Sequence, residues 1–174
     1  MKKMFAGLVL AAVTLFSFTA YADHHHPRWG SFYTDDVSVD LAANEGVEFE
    51  SQDTSDGLFL DSADATKIII QYPGTYLVTY AVTAINGTGN LVEFALSLNE
   101  GVTYVPGSLF AAREGYDGDV DSAVQLYGQA LVHVTHGGST LQLLNVIADT
   151  DLVSIAEGAT TASVVIHRID AHNN

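Results

Sequence analysis

Hydrophobic and polar residues alternate with a period of two through much of this chain. In the segment 75–85, every second residue from Tyr76 to Val82 is large and apolar, and threonines recur between them. This period, with β-branched and aromatic residues, is typical of a strand that buries one face. The segments 91–98 and 124–134 repeat the pattern, so we predict three long strands.

Turn residues separate the alternating segments. Pro73-Gly74, the run Asn86–Asn90 and Pro106-Gly107 each interrupt the pattern, and Asn-Gly pairs accept the positive φ of tight hairpins. After residue 22, no window of helical length has helical periodicity. We therefore predict one all-β domain over residues 31–170, a jelly-roll β-sandwich of about eight to ten antiparallel strands.

The first 22 residues have the layout of a secretory signal peptide. Lys2 and Lys3 precede an apolar run over residues 5–18, and Ala20-Tyr21-Ala22 forms a small-x-small cleavage site. A membrane anchor is the alternative, but the run is shorter than the roughly 20 residues a spanning helix needs. We expect cleavage, export to the periplasm or beyond, and no membrane span.

Two tails flank the predicted domain. Residues 23–30 form a short histidine-containing segment that we expect to be flexible, and residues 171–174 form a C-terminal tail.

The net charge limits the classes of partner, and the cysteine count limits the sources of stability. The formal net charge is −15 and there is no cysteine. Nucleic acid and anionic membranes are poor partners for such a surface, whereas divalent cations or basic ligands suit it better. Solubility alone could also explain the charge. Because no disulfide can form, stability must come from burial, subunit association or bound ions.

The order of the motifs resembles a known family. A turn followed by Gly74-x-Tyr76-x-Val78-x-Tyr80-x-Val82 resembles the signature strand of complement-type and tumour-necrosis-factor-like heads. The later motifs Leu98-Asn99-Glu100-Gly101 and Ser163–Ile169 extend this similarity to the C-terminal heads of bacterial collagen-like exosporium glycoproteins (BclA-like heads), over roughly residues 31–170.

This resemblance implies a compact homotrimer that acts by binding. Tyr76, Tyr80 and Phe94 match aromatic positions of the family, in either the subunit core or the threefold interface. The chain departs from BclA-like proteins because no Gly-x-y collagen repeat precedes the head and because it begins with a signal peptide.

One loop suggests calcium. Asp117, Asp119 and Asp121 place carboxylates at alternate positions, and calcium prefers several oxygen ligands. The sixth and twelfth positions of an EF-hand loop would be Ser122 and Gly128, which do not fit that motif. A solvated acidic loop is the alternative, and we expect no cofactor to be required.

Cleavage after residue 22 would create a second candidate metal site. The new terminus would begin Asp23-His24-His25, whose amine, backbone nitrogens and third-position imidazole can bind Cu(II) or Ni(II) in a square plane. A flexible tail without a ligand is the alternative.

The motifs of common enzymes are missing from the sequence. There is no Gly-x-Ser-x-Gly elbow, no cysteine nucleophile and no glycine-rich phosphate loop. A pair of carboxylates could still serve a glycosidase, but such a pair needs an enclosing cleft. We therefore predict that the chain is not an enzyme.

The sequence favours an exported homotrimeric recognition or adhesion module. Its partners would be further copies of the chain and a glycan or cell-surface ligand, held on loops such as 54–65 and 111–122. A purely structural acidic trimer of a surface layer is the first alternative, and a hydrolase is the second.

Overall fold

Two antiparallel β-sheets pack against each other in the computed structural model. It describes residues 28–36, 40–86, 91–100, 103–113, 123–148, 150–154 and 156–170. The strands are β1 (Trp29–Thr34), β2 (Asp40–Leu41), β3 (Ser51–Thr54), β4 (Leu58–Leu60), β5 (Ile68–Ile70), β6 (Gly74–Asn86), β7 (Leu91–Leu98), β8 (Phe110–Arg113), β9 (Val124–Val134), β10 (Ser139–Asn145), β11 (Thr150–Leu152) and β12 (Ala162–Arg168).

The first sheet has seven strands with β6 at its centre. The order is β2-β11-β6-β12-β1-β3, and β9 pairs with the opposite edge of β6. This last pairing extends from Gly74↔Val134 to Ala84↔Val124, so the two longest strands are aligned over almost their whole lengths. The second sheet has five strands in the order β4-β5-β10-β7-β8.

The core lies between the sheets and comes from alternate residues of each strand. Its largest fully buried side chains include Phe32, Phe49, Tyr76, Tyr80 and Phe94. The predicted alternation is therefore confirmed for β6, β7 and β9. The three aromatic residues that match the family, Tyr76, Tyr80 and Phe94, all lie inside the subunit.

The predicted fold class is confirmed, and several strand assignments change. The described residues contain twelve strands rather than eight to ten, because short strands of two to four residues, such as β2 and β11, complete the sheets. β1 begins at Trp29, before the predicted domain start at residue 31. β4 lies within the predicted loop 54–65, and β8 overlaps the start of the predicted loop 111–122.

No helix long and apolar enough to cross a membrane occurs among the described residues.

Candidate functional site

The outer face of the seven-stranded sheet carries exposed apolar side chains on β9. Tyr127 and Leu131 are 64% and 60% exposed, while Gly128 and Ala130 between them turn inward to the core. Side chains alternate between the two faces of a strand, so one face is in the core and the other holds these two residues.

Strand register places residues of three strands side by side on this outer face. Leu131 lies opposite Leu77 of β6, which lies opposite His167 of β12. Paired residues on one face of a sheet are close enough to contact each other. Four positions along, Tyr127 and Ala81 form an equivalent row. We call the outer face of β6, β9 and β12 the assembly face.

The central strands of the assembly face carry no formal charge. β6 and β9 together contain no Asp, Glu, Lys or Arg residue, although the chain contains 21 acidic residues. Their polar outer residues bond to one another: Gln129 Nε2 donates to Thr79 Oγ1 at 3.1 Å, and His133 Nδ1 lies 3.0 Å from Thr75 Oγ1. The face is thus uncharged and partly apolar on a strongly acidic protein.

Tyr80 of β6 and Gly128 of β9 are paired residues that face the core. The Tyr80 hydroxyl lies 2.8 Å from Phe94 O and 2.7 Å from Ser108 O, so it links β6 to the second sheet. Gly128 faces the Tyr80 ring, and a Cβ there would lie 2.1 Å from the ring carbon Cζ. Burial raises the pKa of the Tyr80 hydroxyl, which therefore stays protonated as a donor.

A polar cleft of about 310 Å³ opens on the outer side of the five-stranded sheet. Ser97 of β7 and Leu144 of β10 lie among its lining residues, and both are buried. The polar side chains lining the cleft are Asn44, Asp64, Lys67, Glu100, Tyr104 and Gln142. They come from separate segments of the chain and meet only in the fold.

Two polar contacts cross this face of the sheet. The Tyr104 hydroxyl donates to Asn44 Oδ1 at 2.7 Å; Tyr104 borders β7, and Asn44 borders β10. At a second crossing, Lys67 Nζ lies 3.0 Å from Asp64 Oδ2 and 2.9 Å from Glu100 Oε1. The cleft is therefore bordered by one neutral contact and one ion-paired contact.

Hydrogen bonds and ion pairs keep Asp64 and Lys67 of the cleft charged. A hydrogen bond from the Thr66 hydroxyl, followed by that from Lys67, lowers the pKa of Asp64. Hydrogen bonds to Glu100 and then Asp64 raise the pKa of Lys67. Asp64 and Lys67 therefore carry their charges at neutral pH.

The predicted metal ligands fall outside the described residues. This applies to Asp117, Asp119 and Asp121, and equally to Asp23, His24 and His25. Across the part of the chain that is described, no group of three or more His, Cys, Asp or Glu side chains could hold a metal ion. Both metal sites remain predictions.

Sequence reasoning missed the cleft. Only Asp64 falls within a loop that we predicted to bind ligand. Lys67 was a usable signal, since it is the only lysine after Lys3 in a chain this acidic. Its position between two carboxylates depends on strand register, which the alternation pattern does not specify between distant strands.

Solved structures with this architecture include tumour-necrosis-factor-like and complement-type domains. An Eiger TNF from S. frugiperda aligns over 85% of this chain and 96% of its own, with a TM-score of 0.64 and 12% identity. Murine APRIL aligns over 82% and 99%, with a TM-score of 0.54 and 11% identity. The globular domain of zebrafish complement 1qA aligns over 84% and 99%, with a TM-score of 0.54 and 10% identity.

This chain has the tumour-necrosis-factor-like jelly-roll fold. No protein-family profile matches the sequence. No curated protein matches it either. The predicted superfamily likeness is thus confirmed at the level of fold, while the narrower resemblance to BclA-like heads stays a prediction.

Proposed function

We propose that this protein is an exported homotrimeric binding module that recognises or adheres to a surface ligand and has no catalytic activity of its own. The assembly face supports this most strongly. An uncharged sheet face with two large exposed apolar residues is typical of a surface that another subunit covers.

Burial of this face would favour association. Fully burying a side chain the size of Leu131 contributes about 1.5–3 kcal/mol, and Tyr127 adds comparable apolar area. Each copy in a closed ring buries the same residues, so the gain is repeated at every interface. An acidic chain also self-associates more readily through a face without carboxylates, because like charges repel.

The position of β9 supports the same proposal. Within the described sheets, β9 pairs only with β6, so a strand of 11 residues lies at a sheet edge. A long edge strand with exposed apolar residues invites pairing with other chains unless it is covered. Threefold association would cover it, as the resemblance found in the sequence implies.

The recognition role is favoured over a purely structural one by the polar cleft. It opens on the sheet opposite the assembly face, so a trimer formed through β6 and β9 leaves it accessible. A coat-forming trimer would not require such a cleft. The signal peptide pattern of residues 1–22 supports export.

A pair of charge substitutions tests this proposal. In Leu131→Asp the new carboxylate lies in the centre of the assembly face, where burying it without a partner is unfavourable. We expect light scattering to give the trimer mass for the wild type and the monomer mass for this variant. Phe59→Asp is the control, because Phe59 is an exposed apolar residue on β4 of the other sheet.

The control variant should keep the trimer mass. If Leu131→Asp assembles as the wild type does, the assembly face proposed here is wrong. A wild type that is already monomeric would refute the trimer itself.

A further inference from the structure

The polar cleft holds its bordering residues in uncommon backbone conformations. Asn44 and Glu100 have φ values of 66° and 54°, in the left-handed region that residues other than glycine seldom adopt. They take part in the two polar contacts that cross the sheet. Such conformations cost energy and are concentrated at functional sites.

The glycine at position 46 leaves space for the side chains that line the cleft. A Cβ on Gly46 would lie 2.8 Å from Thr66 Cβ and 3.3 Å from Gln142 Nε2, so a larger residue would push these side chains apart. Gln142 Nε2 donates to Thr66 Oγ1 at 2.9 Å, and Thr66 Oγ1 in turn donates to Asp64 Oδ1 at 2.6 Å. This chain of bonds fixes the Gln142 amide, and its Oε1 is the group left to accept from a ligand.

The remaining hydrogen-bonding capacity of the cleft includes both donors and acceptors. Lys67 uses two of its three N–H groups on carboxylates, and the Asn44 amide keeps its N–H₂ donor when Oδ1 accepts from Tyr104. Glu100 Oε2 and Gln142 Oε1 are acceptors. A ligand that fits this set must donate and accept over a few ångströms, as adjacent hydroxyl groups do.

The charges select against anions. Asp64 and Glu100 outnumber Lys67, so the ionised groups of the cleft sum to one negative charge within a chain of net charge −15. An anionic ligand would be repelled both locally and by the protein as a whole. The Tyr104 side chain, which is partly exposed, offers an aromatic surface beside these polar groups.

We infer that this cleft binds one residue of a neutral saccharide through its hydroxyl groups. This inference deepens the recognition role proposed above by naming its ligand class. It does not depend on assembly, because all the cleft residues come from one subunit.

Saturation-transfer NMR on the purified protein tests the inference. The probes are glucose, galactose, mannose and N-acetylglucosamine, with N-acetylneuraminic acid as the anionic comparison. We expect at least one neutral sugar to bind saturably with a Kd of about 1 mM, and the anionic sugar to bind more weakly. Concentrations should span that Kd.

Variants locate the binding. Gln142→Ala and Glu100→Gln each remove a ligand-facing acceptor or its charge, and each should weaken binding by at least about threefold. Gln71→Ala is the matched control, because Gln71 is exposed and outside the cleft. Thermal unfolding of each variant checks that it is folded.

Several outcomes would refute the inference. These are no saturable binding by any neutral sugar, binding of the anionic sugar alone, or equal affinities in the cleft variants and in Gln71→Ala. Light scattering of the same samples separates the two proposals. A trimer that binds no sugar refutes only the saccharide site, and a monomer that binds sugar refutes only the assembly.

Discussion

At the scale of single residues, the contact between Tyr80 and Gly128 joins the two sheets and the two longest strands. The Tyr80 hydroxyl is buried, has one proton and lies near two carbonyl oxygens, while its ring occupies the space that a side chain at position 128 would need. Phe110 packs against this ring edge to face, with centroids 6.2 Å apart. Position 128 therefore requires a glycine, because the Tyr80 ring fills the space beside it.

Two substitutions test this contact. Gly128→Ala should lower the free energy of unfolding by about 1–3 kcal/mol or more, because the new Cβ overlaps the ring. Tyr80→Phe keeps the ring but removes the hydroxyl that donates to a buried carbonyl, at a cost of about 1–3 kcal/mol. Chemical denaturation gives both values. A Gly128→Ala variant as stable as the wild type would contradict the predicted overlap between the new Cβ and the Tyr80 ring.

The Asp170 carboxylate should make the stability of the protein depend on pH. Partial burial acts to raise the pKa of Asp170, but hydrogen bonds from Arg168 Nε and the Thr75 amide outweigh it and lower that pKa. A carboxyl with a lowered pKa in the folded state stabilises the protein above its unfolded value of about 3.9, and this stabilisation is lost as pH falls through the folded pKa.

The measurement is the midpoint of thermal unfolding between pH 7 and pH 2. Asp170→Asn should lower the midpoint at neutral pH and reduce its loss on acidification. Asp53→Asn, at an exposed position on β3, is the control for removing one charge. Equal acid sensitivity in the wild type and Asp170→Asn would contradict the role of these hydrogen bonds.

At the scale of elements, long strands could be predicted and short ones could not. β6, β7 and β9 have an alternating sequence over eight or more residues, because every second side chain of each strand enters the core. β3 reads Ser-Gln-Asp-Thr and lies at a sheet edge, where little apolar surface is buried. Its pairing with β1 is a tertiary contact, which local periodicity does not encode.

The two candidate surfaces also differ in how far the sequence alone predicts them. From the sequence, Leu77, Ala81 and the threonines could be assigned to one face of β6, opposite its large core residues. The cleft could not be predicted, because Lys67 and Glu100 are 33 positions apart and meet only once β5, β10 and β7 are side by side. Register between distant strands requires the whole fold.

Hydrogen exchange tests this view of the elements. β6 has paired strands at both edges and inward side chains that are fully buried, whereas β8 is a short edge strand with mostly exposed residues. We expect the amides of β6 to exchange slowest and those of β8 among the fastest, since exchange reflects local opening. Equal protection of β6 and β8 would contradict this ranking.

At the scale of the whole molecule, the two sheets present two different outer surfaces. One is uncharged across β6 and β9, and the other carries the polar cleft with its ion pairs. This division would let the proposed self-association and ligand binding occur on one domain without competing for the same residues. Three copies would also present three clefts, which raises the avidity for a surface with repeated ligands.

Sedimentation equilibrium of the purified protein over a range of concentrations tests the central claim most directly. Since the assembly face is proposed to be covered by two further copies of the chain, we expect three times the monomer mass for the wild type. Leu131→Asp should give the monomer mass under the same conditions. A wild type that stays monomeric or forms only dimers would refute the proposed trimer.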